Sequence, residues 1–324
     1  MTDDITNTTT TTRAVGITAF GGPEVLAVVQ RPVPALEPGD VRIRVRAATV
    51  NPVDLLVREG GRAAALEPFD APYVPGMDAA GTVEAVGEDV AHLAVGDPVM
   101  AAVSPFRAAG GAQSAVLVVP AAAAVRVPGG LALEAAATLP MNGLTALEAL
   151  DMLDVAAGGT LAITGATGWL GTLAAVLAKG RGVRVIADAP AAERDRVRAA
   201  TGADDVVQRG EGVAERIRAL RPDGVDAVLD AAAVGPAVLG AIRDGGGWAV
   251  VRQQQDPTER GIVRHNVSVA RRLQDTGALR ALADGAAAGE LPATVAATYP
   301  PEAAAEAHRR QEAGGVRGRL VIVF

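Results

Sequence analysis

The chain has 324 residues and a formal net charge of −7. No basic run interleaved with aromatic residues is present, so a nucleic-acid or anionic-membrane surface is not expected. There is no cysteine, and the three histidines (His92, His265 and His308) are scattered, which excludes disulfides, thiolate metal sites and a cysteine nucleophile and leaves no metal-ligand spacing. Hydrophobic residues make up 49% of the chain, enough for a substantial core in one large or two ordinary domains.

In chain order, residues 1–12 lack the basic and apolar regions of a signal peptide and are expected to be a disordered tail. No apolar stretch reaches a membrane-spanning length without glycine, proline or charge. A cytoplasmic chain without membrane partners is expected. From Arg13 to about Val127, strict alternation in Val41-Arg-Ile-Arg-Val-Arg46 and short apolar runs at 81–86 and 115–119, set off by glycine and proline, predict an irregular β domain.

From Leu131 onward the pattern changes to alternating helix and strand. A helix is expected over 135–152, then strands at 161–164, 183–187, 204–207, 225–230, 248–252 and 262–270, with helices from Leu170 and over 213–220 and 234–243. Six short strands with intervening helices predict an α/β fold with a doubly wound parallel sheet. Helices over 278–289 and 301–312 and a strand over 318–324 close the chain.

The first strand of that sheet runs into Gly165-Ala-Thr-Gly168-Trp-Leu-Gly171, and this turn opens a helix with apolar positions at Leu170, Leu173, Ala174 and Leu177. Glycines let a backbone approach closely, and the N–H groups at a helix N-terminus face an anion; a dinucleotide pyrophosphate is the natural guest. Gly165, Ala166, Thr167, Gly168, Trp169, Leu170 and Gly171 are therefore candidate cofactor-binding residues. The spacing also suits a tight strand-to-helix turn whose glycines serve packing, so the motif alone leaves both readings open.

Several segments then follow one family pattern in order: Phe20-Gly-Gly-Pro-Glu-Val-Leu26, Val45-Arg-Ala-Ala-Thr-Val-Asn51-Pro-Val-Asp54, Pro72-Tyr-Val-Pro-Gly76-Met-Asp78 through Gly87, Leu139-Pro-Met-Asn142-Gly-Leu-Thr145-Ala, the glycine turn, Val225-Asp-Ala-Val-Leu-Asp230, and Val316-Arg-Gly318-Arg-Leu-Val. On these segments the chain resembles the zinc-independent quinone oxidoreductases of the medium-chain dehydrogenase/reductase superfamily. The resemblance implies a Rossmann dinucleotide-binding domain over 130–271, and a GroES-like β-barrel substrate domain over 13–129 completed by 272–324. In zinc-dependent members a catalytic cysteine would stand at Asn51 and a histidine at Met77; with neither present, and no four-cysteine lobe, no metal is expected.

The implied chemistry is hydride transfer from a reduced nicotinamide to a quinone or an α,β-unsaturated carbonyl, a small-molecule substrate lying between the domains. Asn51 and Asp54 match family positions lining that cleft and are the catalytic candidates, although Asn-Pro-x-Asp is equally a turn and helix-capping sequence. Asn142 and Thr145 resemble residues on the nicotinamide side, or cap the long helix. Relatives that use NADPH carry a cation where Arg194 stands, and Arg209 falls on the adenosine side; together they favour NADPH. Asp188 pulls toward NADH, because an acid at the end of the second strand suits a free ribose diol. Arg252, standing where relatives have glycine near the nicotinamide, binds an anionic substrate group or crowds the ring. Leu56 replaces a tyrosine of many relatives, which leaves protonation to water, and Trp169 either shapes the pyrophosphate or substrate cleft or packs over the turn.

Two alternatives follow from the same scaffold. One is an enoyl-thioester or polyketide-type enoyl reductase; the other is a scaffold repurposed for a non-redox biosynthetic or binding function. Relatives pair as homodimers through an edge strand, here expected at 261–270.

Overall fold

The computed structural model describes residues 10–252 and 255–324. The chain divides into two compact units. The first comprises the described residues up to Pro140, with Leu273–Asp284 and Ala293–Phe324; the second comprises Met141–Arg272 and Gly285–Pro292. Relative to the expected division, residues 130–140 belong with the first unit and 285–292 with the second. Residues 1–9 of the expected tail lie outside the described residues, but Thr11 and Thr12 are not tail. They open strand β1 (Thr11–Ile17), where they pair with Pro32 and Arg31 of β2 (Leu26–Pro32).

The first unit is organised around one long strand, β3 (Asp40–Val50). In its first half Val41, Ile43 and Val45 are buried while Arg42, Arg44 and Arg46 are not, as period-two alternation requires. One edge of β3 pairs antiparallel with β4 (Asp78–Val86). Its other edge is shared: Asp40–Arg44 pair with β6 (Val116–Pro120), and Ala47–Val50 with the C-terminal strand β15 (Arg319–Val323). Strands β5 (Pro98–Ala102), β7 (Ala124–Arg126) and β14 (Val295–Tyr299) extend the sheet to seven. The core packs Val41, Ile43 and Val45 against Val83, Val99, Leu117 and Val119. Short helices α1 (Pro52–Arg58), α2 (Ala63–Leu66) and α3 (Leu133–Ala136) interrupt the strands.

The second unit holds six strands, β8 (Thr160–Thr164), β9 (Arg184–Ala189), β10 (Asp205–Gln208), β11 (Val225–Asp230), β12 (Ile242–Val250) and β13 (Val263–Asn266). All pair parallel, in the order β10-β9-β8-β11-β12-β13. This is the doubly wound arrangement expected from sequence, with the order reversing beside β8, so the ends of β8 and β11 flank a switch point where ligands bind. The helices are α4 (Pro140–Leu153), α5 (Trp169–Gly180), α6 (Arg194–Thr201) and α7 (Val213–Leu220); α8 (Thr276–Ala287) and α9 (Ala304–Glu312) follow.

One expected helix is not α-helical. Residues 235–241 form a 3-10 turn, and the fifth strand begins at Ile242, six residues before its expected start. Gly245-Gly-Gly247 gives no strand signal, yet Gly247 pairs with both Ala227 and Val263; neighbouring strands impose what local propensity does not.

Candidate functional site

Three polar side chains stand at the C-terminal ends of adjacent strands of the second unit: Thr164 on β8, Asp188 on β9 and Asp230 on β11. Thr164 Oγ1 donates to Asp230 Oδ1 at 2.6 Å, and Asp230 also accepts the N–H groups of Val234 (2.9 Å) and Gly235 (2.8 Å). Asp230 thereby shapes the loop beyond β11, a role that sequence reading did not assign it.

Between β8 and α5 runs the glycine turn. Gly165 has φ +74°, and a Cβ there would lie 3.0 Å from the Ala232 nitrogen; only glycine takes that conformation without strain. Gly171 is glycine for packing, since a Cβ would come within 2.5 Å of the Gly165 carbonyl oxygen. Gly168 is the N-cap of α5 and its extended backbone redirects the chain into the helix. The helical ladder starts with Thr172 N–H to Gly168 O at 3.0 Å, so the N–H groups of Leu170 and Gly171 precede any intrahelical acceptor. Trp169 is buried at the first helical position.

Asp188 is buried and turned toward the glycine turn. Its Oδ1 accepts the N–H of Gly165 at 2.8 Å and of Ala166 at 3.2 Å. Burial pushes its pKa above the ordinary carboxylate range, with Asp230 adding to the rise, while the two N–H bonds and Arg209 oppose it. Arg209 reaches the same turn, donating to Thr167 Oγ1 at 3.5 Å. The structure thus brings Gly165, Ala166, Thr167, Gly168, Asp188 and Arg209 together. Arg194 is exposed at the start of α6, and Arg252 is exposed two residues beyond β12. Asn142 and Thr145 lie buried within α4 rather than at its cap, with the Thr145 hydroxyl donating to the Met141 carbonyl at 2.6 Å.

The two catalytic candidates belong to a different cluster, in the first unit. Asn51 and Asp54 are both fully buried. Asp54 Oδ2 accepts the Asn51 backbone N–H (2.7 Å) and its Oδ1 accepts that of Gly76 (2.9 Å), so it caps α1 and ties it to the segment before β4. Asn51 Nδ2 donates to Asp78 Oδ2 (2.8 Å) and Thr49 Oγ1 (3.1 Å), and its Oδ1 accepts from the buried Arg319. Burial is the main reason that the Asp54 pKa is pushed up to about 7. The sequence analysis gives no site role to Thr49, Asp78 or Arg319, although Asp78 stands in the segment Pro72-Tyr-Val-Pro-Gly76-Met-Asp78 that carries the family resemblance.

This cluster does not suit a catalytic zinc. The residues at the positions expected of ligands offer an amide (Asn51) and a buried thioether (Met77), and a guanidinium already sits among the carboxylates. Among the described residues, no three His, Cys, Asp or Glu side chains group as metal ligands.

Residues 37–129 match the alcohol dehydrogenase GroES-like domain and residues 201–322 the zinc-binding dehydrogenase domain. With the two units described above, these matches place the chain in the medium-chain dehydrogenase/reductase superfamily. Within it, two relatives matched along nearly their whole length are quinone oxidoreductases. That of Lama guanicoe is 29% identical over 335 residues, 96% of this chain and 97% of its own. The synaptic vesicle membrane protein VAT-1 homolog of Danio rerio is 32% identical over 225 residues, 68% of this chain; the match spans only 45% of that relative's length. A mycobacterial structure complexed with NADPH superposes with a TM-score of 0.82 at 28% identity, covering 97% of this chain and 100% of its own.

Proposed function

We propose that the protein is an NADPH-dependent oxidoreductase that delivers hydride to a quinone or an α,β-unsaturated carbonyl without a metal. The observation that carries this reading is the orientation of Asp188. One oxygen of its carboxylate, Oδ1, accepts the Gly165 and Ala166 N–H groups and the residue is buried, so the side chain is turned into the glycine turn rather than held out toward a ribose diol, the arrangement that favours NADH. Arg209 beside the turn and the exposed Arg194 supply positive charge suited to a 2′-phosphate. The NADPH complex of the mycobacterial relative supports the same choice.

When bound, the nicotinamide supplies the hydride. This chain's part is placement: Leu170 and Gly171 N–H groups at the start of α5 hold the pyrophosphate, and Gly165 and Gly171 keep the backbone close. Asn51 and Asp54 act as positioning residues that fix α1, since their polar atoms are engaged within the cluster. Leu56 offers no hydroxyl, and water protonates the reduced product. The second unit is the nucleotide domain and the first the substrate domain. The edge strand β13, where Val263 is 52% exposed, carries the homodimer contact.

The test is titration of the protein with NADPH and NADH, followed by loss of reduced-nicotinamide absorbance with quinones, enones and 2-enoyl thioesters. NADPH preference with quinone or enone turnover is the expected result, and Arg194→Ala should weaken NADPH about tenfold while sparing NADH. Turnover confined to thioesters would select the enoyl-reductase alternative. Failure to bind either nucleotide would overturn the reading.

A further inference from the structure

Asp188 lies 3% exposed, and both of its turn contacts end on a single oxygen, Oδ1. The charged groups facing it are Arg209, just beyond β10, and Asp230 on β11. A pyrophosphate seated at the first turn of α5 would bring more negative charge to the same turn. The carboxylate has already taken the Gly165 and Ala166 N–H groups, so a phosphate finds Leu170 and Gly171 but meets an anion behind the turn.

We propose that Asp188 is a positioning residue that fixes the glycine turn and, through its charge, opposes the dinucleotide, so that docking of the cofactor is coupled to proton uptake at this carboxyl. The inference rests on the nucleotide reading given above. An added anion disfavours the ionised carboxylate. The bound protein therefore holds its Asp188 proton to higher pH than the free protein does, and affinity rises as pH falls through that window. Burial already holds this carboxyl above the usual range.

The single-oxygen geometry separates charge from shape. In Asp188→Asn the amide carbonyl supplies the same acceptor to both N–H groups, and only the charge is lost; Asp188→Ala loses the acceptor as well. The experiment measures Kd for NADPH from about pH 5.5 to 8.5. It also measures proton uptake, by calorimetry in two buffers of different ionisation enthalpy, and apo-protein thermal midpoints. The 2′-phosphate titrates near pH 6 by itself, but equally for every variant, so differences from wild type are read.

Relative to wild type, Asp188→Asn should bind on the order of tenfold tighter at pH 8, the equivalent of one pK unit. It should show a shallower pH profile, less proton uptake and a midpoint no lower than that of wild type. Asp188→Ala should bind more weakly and melt lower. Asp188→Asn with the wild-type pH profile and uptake would overturn the proposal while leaving the nucleotide reading intact. Wild-type protein that binds neither NADPH nor NADH would overturn both.

Discussion

In the first unit Asp54 and Asp78 are fully buried and share their surroundings with Thr49, Asn51 and Arg319. In the second, Asp188 and Asp230 are almost as deeply placed but accept mainly from backbone N–H groups of the loops that follow β8 and β11. Gly165, Gly168 and Leu170 stay only half-buried. The bonds of the first cluster join α1, β3, β4 and β15. The second spends its carboxylates on shaping a turn, and keeps helix-terminal N–H groups and arginines for something else. Asp78 is held by the side chains of Thr49 and Asn51, whereas Asp188 is held by backbone N–H groups of the turn between β8 and α5.

The sharpest way to break the contrast is Arg319→Met. Removing a buried cation takes the Arg319 donor from Asn51 Oδ1 and the positive charge from beside Asp54 and Asp78, and should cost about 3–5 kcal/mol, read as a lower urea midpoint at unchanged m-value. Nucleotide affinity of the folded fraction should not move. Gly171→Ala tests the other cluster: a Cβ 2.5 Å from the Gly165 oxygen should cost about 1–3 kcal/mol by overpacking and, unlike Arg319→Met, weaken NADPH at least about tenfold. A loss of stability without a loss of affinity would remove the turn from the nucleotide site.

A third prediction concerns pH, and both groups in it belong to the first unit. Asp54 has its folded pKa raised from 3.8 to about 7. The folded form therefore holds an extra proton in that window, and this contribution to stability falls as pH rises through it. His308 is buried beside Arg58, and its folded pKa is lowered from 6.5 to about 3, chiefly by burial. Here the unfolded form binds the extra proton, so stability rises with pH from about 3 to 6.5. The two slopes oppose and largely offset. His308→Gln should expose the Asp54 slope as a fall of about 2 kcal/mol in unfolding free energy between pH 5 and 7, measured by urea titration at each pH; a flat profile in the variant would remove Asp54 as its source. The smallest effect is expected at the exposed pair Arg13–Glu302, whose side chains are 50% and 61% exposed. Arg13→Ala should change stability by at most about 0.5 kcal/mol.

Much of the second unit was legible before the structure. Residues 225–230 form a strand with the expected bounds, and the glycine turn, its helix and the parallel sheet follow from apolar periodicity and from glycine's backbone freedom. Asp188 was legible as an acid at a strand end but not as a turn anchor. In a strand, side chains alternate faces, so which way one residue points is settled by register, here Ile163 beside Ala187. The 3-10 turn over 235–241 and the early start of β12 were illegible for a related reason: the glycines at 245–247 carry no propensity, and it is the pairing of Ile242 with Val225 and of Gly247 with Ala227 and Val263 that sets the strand.

What the sequence determined by itself, then, is what local chemistry dictates: the alternation of β3, the α/β rhythm of the second unit, the turn that needs Gly165 and Gly171, and the absence of cysteine and histidine clusters. What only tertiary structure decided is which polar groups find partners. Arg319 meets Asn51 across 268 positions of chain, and Arg58 meets Glu312 across 254. No local pattern encodes such meetings. They arise because β15 pairs with β3 and α9 packs against α1, and because buried donors and acceptors must be satisfied wherever the fold brings them together.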